Sequence, residues 1–343
     1  MPLEVKAMQM QENVALRPYN SFGIAASARW FARFHDVDSL QSVVSALPSV
    51  PQLVLGGGSN ILFTGNFNGL VLKNEIEGIQ VLREDDEFVY IKTGAGENWH
   101  KFVLYCIERN LGGVENLSLI PGNMGASPMQ NIGAYGVEIK DVFESLEAFH
   151  LQDKTVVNFS NEECGFGYRE SVFKRRYKGQ FVILTVTCKL RKQPQFNTQY
   201  GAIAQELEKA GVKDLSVKAI SDAVIRIRRS KLPDPAVIGN AGSFFKNPLV
   251  GAAQFAALKE QYPAIVGYPD QQGHVKLAAG WLIEQCGWKG YRRGDAGCHA
   301  LQALVLVNYG NASGQEILAL SNDIVNSVQE KFKVFLEREV NIV

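Results

Sequence analysis

The chain runs to 343 residues, 46% hydrophobic and 20% charged, with 35 Lys and Arg balanced by 35 Asp and Glu. That length implies two or three domains with ample core, and a formal net charge of zero removes any global field for holding nucleic acid, leaving room for a local basic pocket only. No apolar run reaches a membrane span, and residues 1–8 lack the charged and apolar regions of a signal peptide, so a cytosolic protein outside the membrane is expected. In chain order, residues 53–55 and 70–72 read as short buried strands on either side of Gly56-Gly57-Gly58-Ser59-Asn60. Residues 88–92 predict a strand ended by Gly94-Ala95-Gly96. Residues 97–110 predict a helix with Trp99, Phe102, Val103 and Ile107 on one face, stopped by Gly112-Gly113. A long loop, 120–136, precedes two alternating strands at 142–150 and 181–190.

Residues 216–229 predict a helix that Ser216 can cap, with Ile220, Val224 and Ile227 as its apolar stripe. It ends in Arg226, Arg228, Arg229 and Lys231, which read either as cations complementing a helix C-terminus or as a clamp for a diphosphate. Pro233-Asp234-Pro235 breaks the chain and marks a domain boundary. Beyond it come helices at 252–262 and 277–286, a strand at 303–308, and a helix opened by a Ser313–Glu316 capping box and running to about Phe332. The end, 334–342, alternates as a strand and puts Glu337 and Glu339 on one face with Phe335, away from Leu336 and Val340. Five cysteines, at 106, 164, 188, 286 and 298, form no C-x-x-C pair and fit reduced thiols. The histidine spacing matches no zinc motif, so no metal is expected.

The loops carry the chemistry. The segment 120–136 holds Gly122, Gly125, Gly133 and Gly136, two prolines and no charged side chain. A solvated linker would carry charge, and a core helix or strand would not tolerate so much Gly and Pro. An ordered loop remains, whose backbone N–H groups can approach a ligand closely. The GGGSN loop is of the same kind. Neither it nor Gly94-Ala95-Gly96 completes G-x-G-x-x-G, since Ile61 and Trp99 stand at the third site, and no G-K-[ST] appears. Each loop alone could be a tight turn between strands; together they favour a large phosphate-bearing cofactor.

Seven segments occur in a recognisable order and spacing: Gly56–Asn60, 120–136, Gly167-Tyr168-Arg169-Glu170-Ser171, Lys231-Leu232-Pro233-Asp234-Pro235, Gly242-Ser243-Phe244-Phe245-Lys246-Asn247-Pro248, Leu277-Ala278-Ala279-Gly280-Trp281-Leu282-Ile283 and Leu336-Glu337-Arg338-Glu339-Val340. From residue 20 onward the chain resembles the UDP-N-acetylenolpyruvoylglucosamine reductase family of bacterial peptidoglycan synthesis, in its longer type with a tyrosine loop. The resemblance implies an α+β fold: a two-lobed FAD-binding unit of the vanillyl-alcohol-oxidase type plus a separate α+β substrate-binding domain. The expected divisions are 1–82 and 83–232 for the two FAD-binding lobes, 233–333 for the substrate domain, and 334–343 for a strand returning to the active site. Two departures stand out: Arg338 replaces the usual Pro, and Ala300-Leu301 follow His299 where Arg and Gln are common.

The reaction so implied passes a hydride from NADPH through non-covalent FAD to the enolpyruvyl group of UDP-N-acetylglucosamine enolpyruvate. Negative charge spreads into the neighbouring carboxylate and must be stabilised and protonated. Arg169 offers a planar fork for that carboxylate; without the resemblance it would read as a surface Arg pairing with Glu170 or Glu163. Ser243 is the candidate proton donor, polarised by a neighbour or relaying through water, with Phe244 and Phe245 keeping it dry. Glu339 is placed near the same carboxylate, with Glu337 as its decoy. Gly56, Gly57, Gly58, Ser59, Asn60, Pro121, Gly122, Gly125, Ala126, Ser127, Gln130, Asn131, Gly133, Ala134, Tyr135 and Gly136 are expected to bind the cofactor. The resemblance assigns Lys231 to a phosphate, Tyr200 to closure over the substrate, and Asn247 and Gln302 to the nucleotide. It implies a cytoplasmic monomer with no nucleic-acid or membrane partner. Two rivals remain: an oxidase on the same flavin scaffold, which often carries a covalent flavin through His or Cys, and a silent nucleotide-sugar binding protein. The absence of His and Cys from both loops argues against the first, and the joint presence of Arg169, Ser243 and Glu339 against the second.

Overall fold

The computed structural model describes residues 10–47, 49–270 and 273–343; the signal-peptide reading of residues 1–8 lies outside them. By its internal contacts the chain forms two compact units. The first comprises residues 28–57 and 68–230 with the N-terminal stretch to Val14, and the second comprises 15–27, 58–67 and 231–343. The chain passes from the first unit into the second within the GGGSN loop, between Gly57 and Gly58.

The first unit contains two sheets. One orders its strands Gln11–Ala15, Ser27–Phe34, Phe67–Asn74 and Gln52–Leu55, the last two parallel with Gln52 opposite Leu70 and Leu55 opposite Lys73. The other is antiparallel, ordered Val156–Ser160, Phe143–His150, Phe181–Arg191, Phe88–Gly94 and Ile79–Glu84. Phe181–Arg191 is the spine. Val182 and Leu184 join Phe34, Leu40, Leu70 and Leu72 in one core, whereas Ile183, Val186, Cys188 and Leu190 join a second core built on Trp99 and Phe102. That two-sided burial explains its nearly continuous apolar run. The helix Trp99–Glu108 is started by Asn98, whose side chain accepts from Lys101 N. Trp99, Phe102, Val103 and Cys106 form its buried face.

In the second unit an antiparallel sheet orders Gly239–Ser243, Val305–Asn308, Ala296–Cys298 and Arg292–Arg293. The helix Gly314–Phe332 opens with the expected Ser313–Glu316 capping box. The terminal strand is shorter than its alternation suggests. Residue 338 makes an isolated bridge to Phe245, and only Asn341–Ile342 forms a regular strand, parallel to Ile61–Leu62. Leu336 and Val340 are nonetheless buried and Phe335 and Glu337 exposed, as the alternation requires. All five cysteines are free. Among the described residues no helix is long and apolar enough to cross a membrane, and no cluster of three or more His, Cys, Asp or Glu could hold a metal.

Candidate active site

In the first unit three glycine turns converge. A Cβ on Gly57 would lie 2.7 Å from Asn123 Oδ1 and 3.0 Å from Gly122 Cα, and one on Gly125 would lie 2.6 Å from Ala95 Cβ. Backbone bonds tie the turns together: Trp99 N–H to Gly122 O at 3.0 Å, Met124 N–H to Glu97 O at 2.8 Å and Gly125 N–H to Ala95 O at 2.9 Å. These glycines therefore admit the protein's own neighbouring loops, which qualifies the reading that they are small for a ligand's sake. Ser127 and Asn131 are buried and hold the loop itself: Ser127 Oγ donates to Met124 O, and Asn131 Nδ2 donates to Glu138 Oε2 and Gly167 O. Pro121 and Ala126 are exposed, Gln130, Gly133 and Ala134 half-buried.

Arg169 lies in the same unit. Its backbone sits at φ +56°, a left-handed conformation that a non-glycine residue holds only when its surroundings impose it. The chain turns sharply here at Arg169, and the turn is closed by mutual backbone bonds between Gly167 and Glu170. The guanidinium donates to the carbonyls of Asn131 and Gly133 and lies 3.7 Å from Glu138 Oε1, with 18% of the side chain exposed. Glu170 pairs with Arg175 at 2.9 Å. The carbonyls of the 120–136 loop and the arginine are consequently one assembly.

The basic helix end separates into individuals. The helix Val217–Lys231 has Ala219 N–H bonded to Ser216 Oγ, as the cap predicts. Arg226 pairs with Glu206 at 2.7 Å and points to solvent. Arg228 bonds the Tyr135 hydroxyl and donates through Nε to Leu119 O at 3.2 Å. Burial pushes the Tyr135 phenol up and Arg228 opposes that rise. Tyr135 also meets Tyr200 edge to face at 5.6 Å, so the tyrosine loop touches the glycine loop directly. Gly136, at φ +80°, carries the chain on beside Asn197.

The second unit holds Gly58, Ser59, Asn60, Lys231, Ser243, Asn247, Gln302 and Glu339. Ser243 ends the strand Gly239–Ser243 at an irregularity where Gly242 takes φ +70°. Its side chain is exposed. Phe244 and Phe245 are buried at 0% and 1% and pack on each other, Phe244 also on Phe22. They anchor the strand in the core and do not screen Ser243, contrary to expectation. The segment after Ser243 pairs with the C-terminus: Glu339 N–H donates to Phe244 O and Lys246 N–H to Glu337 O, each at 2.9 Å. Glu339 thereby stands opposite Phe244, and the segment that follows Ser243 is joined to a segment distant along the chain. Glu337 ion-pairs with Lys246 at 2.6 Å, a partner that is 6% exposed. Arg338 occupies the non-hydrogen-bonded site of this pair, so its backbone N–H adds no bond to this ladder. Asn60 Nδ2 donates to Glu339 O, Asn247 Oδ1 accepts from Ala279 N, and Gln302 Oε1 accepts from Leu304 N. Lys231 is exposed at the end of its helix.

Residues 234–343 match the profile of the UDP-N-acetylenolpyruvoylglucosamine reductase C-terminal domain, and residues 28–160 match an FAD binding domain. The UDP-N-acetylenolpyruvoylglucosamine reductase of Amoebophilus asiaticus is 52% identical over 338 residues, covering 98% of this chain and 100% of its own length. The chain belongs to the UDP-N-acetylenolpyruvoylglucosamine reductase family. The reductase of Pseudomonas syringae pv. tomato is 51% identical over 337 residues, with 98% of this chain and 99% of its own length covered. The crystal structure of the Thermus caldophilus reductase, at 24% identity, shares the fold with a TM-score of 0.69 over 98% of this chain and 99% of its own.

Membership in this reductase family makes FAD the cofactor to test against the geometry. Among the described residues of the first unit, the backbone N–H groups of Gly57, Gly122 and Asn123 donate to no protein acceptor. Such runs of free donors suit the oxygens of a dinucleotide pyrophosphate. Lys73 adds a cation: its Nζ lies 3.0 Å from Gly56 O, and burial pushes its pKa down. The donor set fits. Sequence reasoning missed Lys73, Asn123 and Lys246, because each acts on a loop or strand far from it along the chain.

Proposed function

We infer that the chain carries out its family's reaction with Arg169 binding the substrate carboxylate, Ser243 delivering the proton and Glu339 assisting it. The reaction is NADPH-dependent reduction of UDP-N-acetylglucosamine enolpyruvate to UDP-N-acetylmuramate, a step of peptidoglycan precursor synthesis. FAD, when bound, accepts hydride from NADPH and supplies it to the enolpyruvyl group. Gly57, Gly122 and Asn123 would hold its pyrophosphate through their backbone donors, with Lys73 contributing charge.

The protein's own groups then act on the developing charge. The guanidinium of Arg169 offers a bidentate fork to a carboxylate and is preorganised by the carbonyls of Asn131 and Gly133. Ser243 is exposed, so its hydroxyl is replenished through water after it gives a proton to the substrate carbon. Glu339 stands on the paired strand and holds or passes that proton. Lys231, Tyr200, Asn247 and Gln302 are assigned to the nucleotide part of the substrate. A cytoplasmic monomer fits this reading, and the five free thiols support the compartment.

The observation that supports the assignment is the pairing of residues 244–246 with 337–339, which joins the segment that follows Ser243 to the segment that carries Glu339. Its test is Glu339→Gln, followed by stopped-flow of each half-reaction. Flavin reduction by NADPH is expected within about threefold of the parent, and oxidation by the enolpyruvyl substrate about 100-fold slower. An unchanged second half-reaction removes Glu339 from the chemistry.

A further inference from the structure

We propose that Arg338 is a positioning residue that fixes the terminal strand against the helix Gly314–Phe332 so that Glu339 is presented at a constant pitch; this rests on the role given to Glu339 above. Among the described residues, two backbone bonds join residues 337–339 to the segment that follows Ser243. A pair so short specifies its own register weakly. Burial of Leu336 and Val340, at 1% and 4% exposure, anchors the ends of the segment. The stretch between them needs lateral support.

Arg338 supplies it. Its Nε donates to Ser321 Oγ at 2.9 Å and its Nη2 donates to Asn322 Oδ1. Ser321 is fully buried, and its hydroxyl proton is directed to Leu318 O at 2.7 Å, which leaves a lone pair facing Arg338. The acceptor is therefore oriented before the arginine arrives, and it belongs to a 19-residue helix with a closed capping box. A rigid fork holding two acceptors transmits position better than one flexible ammonium would. Both acceptors are neutral, so the tether is insensitive to salt. On the neighbouring residue, Glu337 is held by the largely buried Lys246 ammonium, and Asn341 donates to Asn60 O through both its backbone and side-chain nitrogens. Glu339 sits between these fixed points.

The test uses FAD-loaded enzyme and four variants, Arg338→Ala, Arg338→Lys, Ser321→Ala and the Arg338→Ala/Ser321→Ala double, with Glu339→Gln as reference. Arg338→Ala is expected to slow the substrate half-reaction about tenfold or more, the scale of a misplaced catalytic group. It should leave FAD content and the NADPH half-reaction within about twofold. Ser321→Ala should show a smaller loss in the same half-reaction, and the double variant should be no slower than Arg338→Ala alone, because both remove one tether. Arg338→Lys, which keeps one donor, should recover part of the rate. Proportional loss in both half-reactions overturns the proposal in favour of a merely structural arginine. So does a substrate half-reaction within twofold of the parent in Arg338→Ala while Glu339→Gln is slow. A normal rate in Glu339→Gln overturns the underlying reading instead, and the two failures are told apart by that reference.

Discussion

Ser243 is the residue whose environment bears most directly on the proposed proton delivery. Its hydroxyl is a weak acid, it is exposed and the adjacent phenylalanines face the core, so in the proposed role its proton would be exchanged with solvent rather than in a dry pocket. Replacing Ser243 by Ala should lower the substrate half-reaction by about 100- to 10,000-fold. Flavin reduction by NADPH needs no proton at the substrate carbon and should stay near normal. Ser243→Cys should retain more activity than Ala, since a thiol can still donate. Rapid-mixing absorbance of the two half-reactions measures all three, and equal losses in both would point to a damaged cofactor site. Arg169 illustrates the opposite case, in which the side-chain type was readable but its strain was not. Nothing in Gly167-Tyr168-Arg169 says that the positive φ falls on the arginine; the bonds to Asn131 and Gly133 impose it.

At the scale of elements, the glycines in and after the GGGSN loop tolerate change very unevenly. Gly58 has φ +62°, and a Cβ there would stand 2.0 Å from Tyr19 O, whereas a Cβ on Gly65 would meet nothing within 4 Å. Gly58→Ala therefore adds left-handed strain of about 1–2 kcal/mol to a backbone clash that forces the loop to move. Lower FAD content and a lower melting temperature are expected for Gly58→Ala, and neither for Gly65→Ala. Visible absorbance per chain and calorimetry decide it. The helix Trp99–Glu108 carries a pH-dependent contact. Leu119 N–H donates to His100 Nδ1 at 3.0 Å, so that nitrogen must keep its lone pair. Burial first, then Arg228 and Arg229, hold the His100 pKa below its ordinary 6.5. The unfolded chain binds this proton at higher pH than the folded one. The stability contribution is complete above 6.5 and is lost as pH falls through the lower folded value. Urea midpoints should drop between about pH 7.5 and about pH 5.5, and drop less in His100→Gln.

For the whole molecule, the cofactor is the shared requirement. Neither Gly56–Asn60 nor residues 120–136 offers a His or Cys, so FAD is expected to be held without a covalent bond. Acid precipitation should release yellow colour into the supernatant, with the chromatographic mobility of FAD. Colour retained in the pellet, or FMN in solution, would refute this. Anaerobic NADPH should bleach the purified protein, and the enolpyruvyl UDP-sugar should restore the colour; reoxidation by oxygen alone would favour the oxidase rival.

What the sequence determined by itself was whatever depends on neighbours along the chain. The Ser313–Glu316 box, the Ser216 cap and the Trp99, Phe102, Val103 face follow from bonds and periodicities within a few residues. The ordered motifs likewise sufficed for the family. Tertiary structure alone decided the rest. It put residues 15–27 and 58–67 in the second unit and split the GGGSN loop between the two. It paired the two-residue strands Ile61–Leu62 and Asn341–Ile342, too short for any period to show. It turned Glu337 from a decoy into the partner of a buried lysine, and sent Arg338 to Ser321 instead of into the ladder. These are contacts between segments far apart in the chain, set by which apolar faces bury together, and no local pattern encodes the partner.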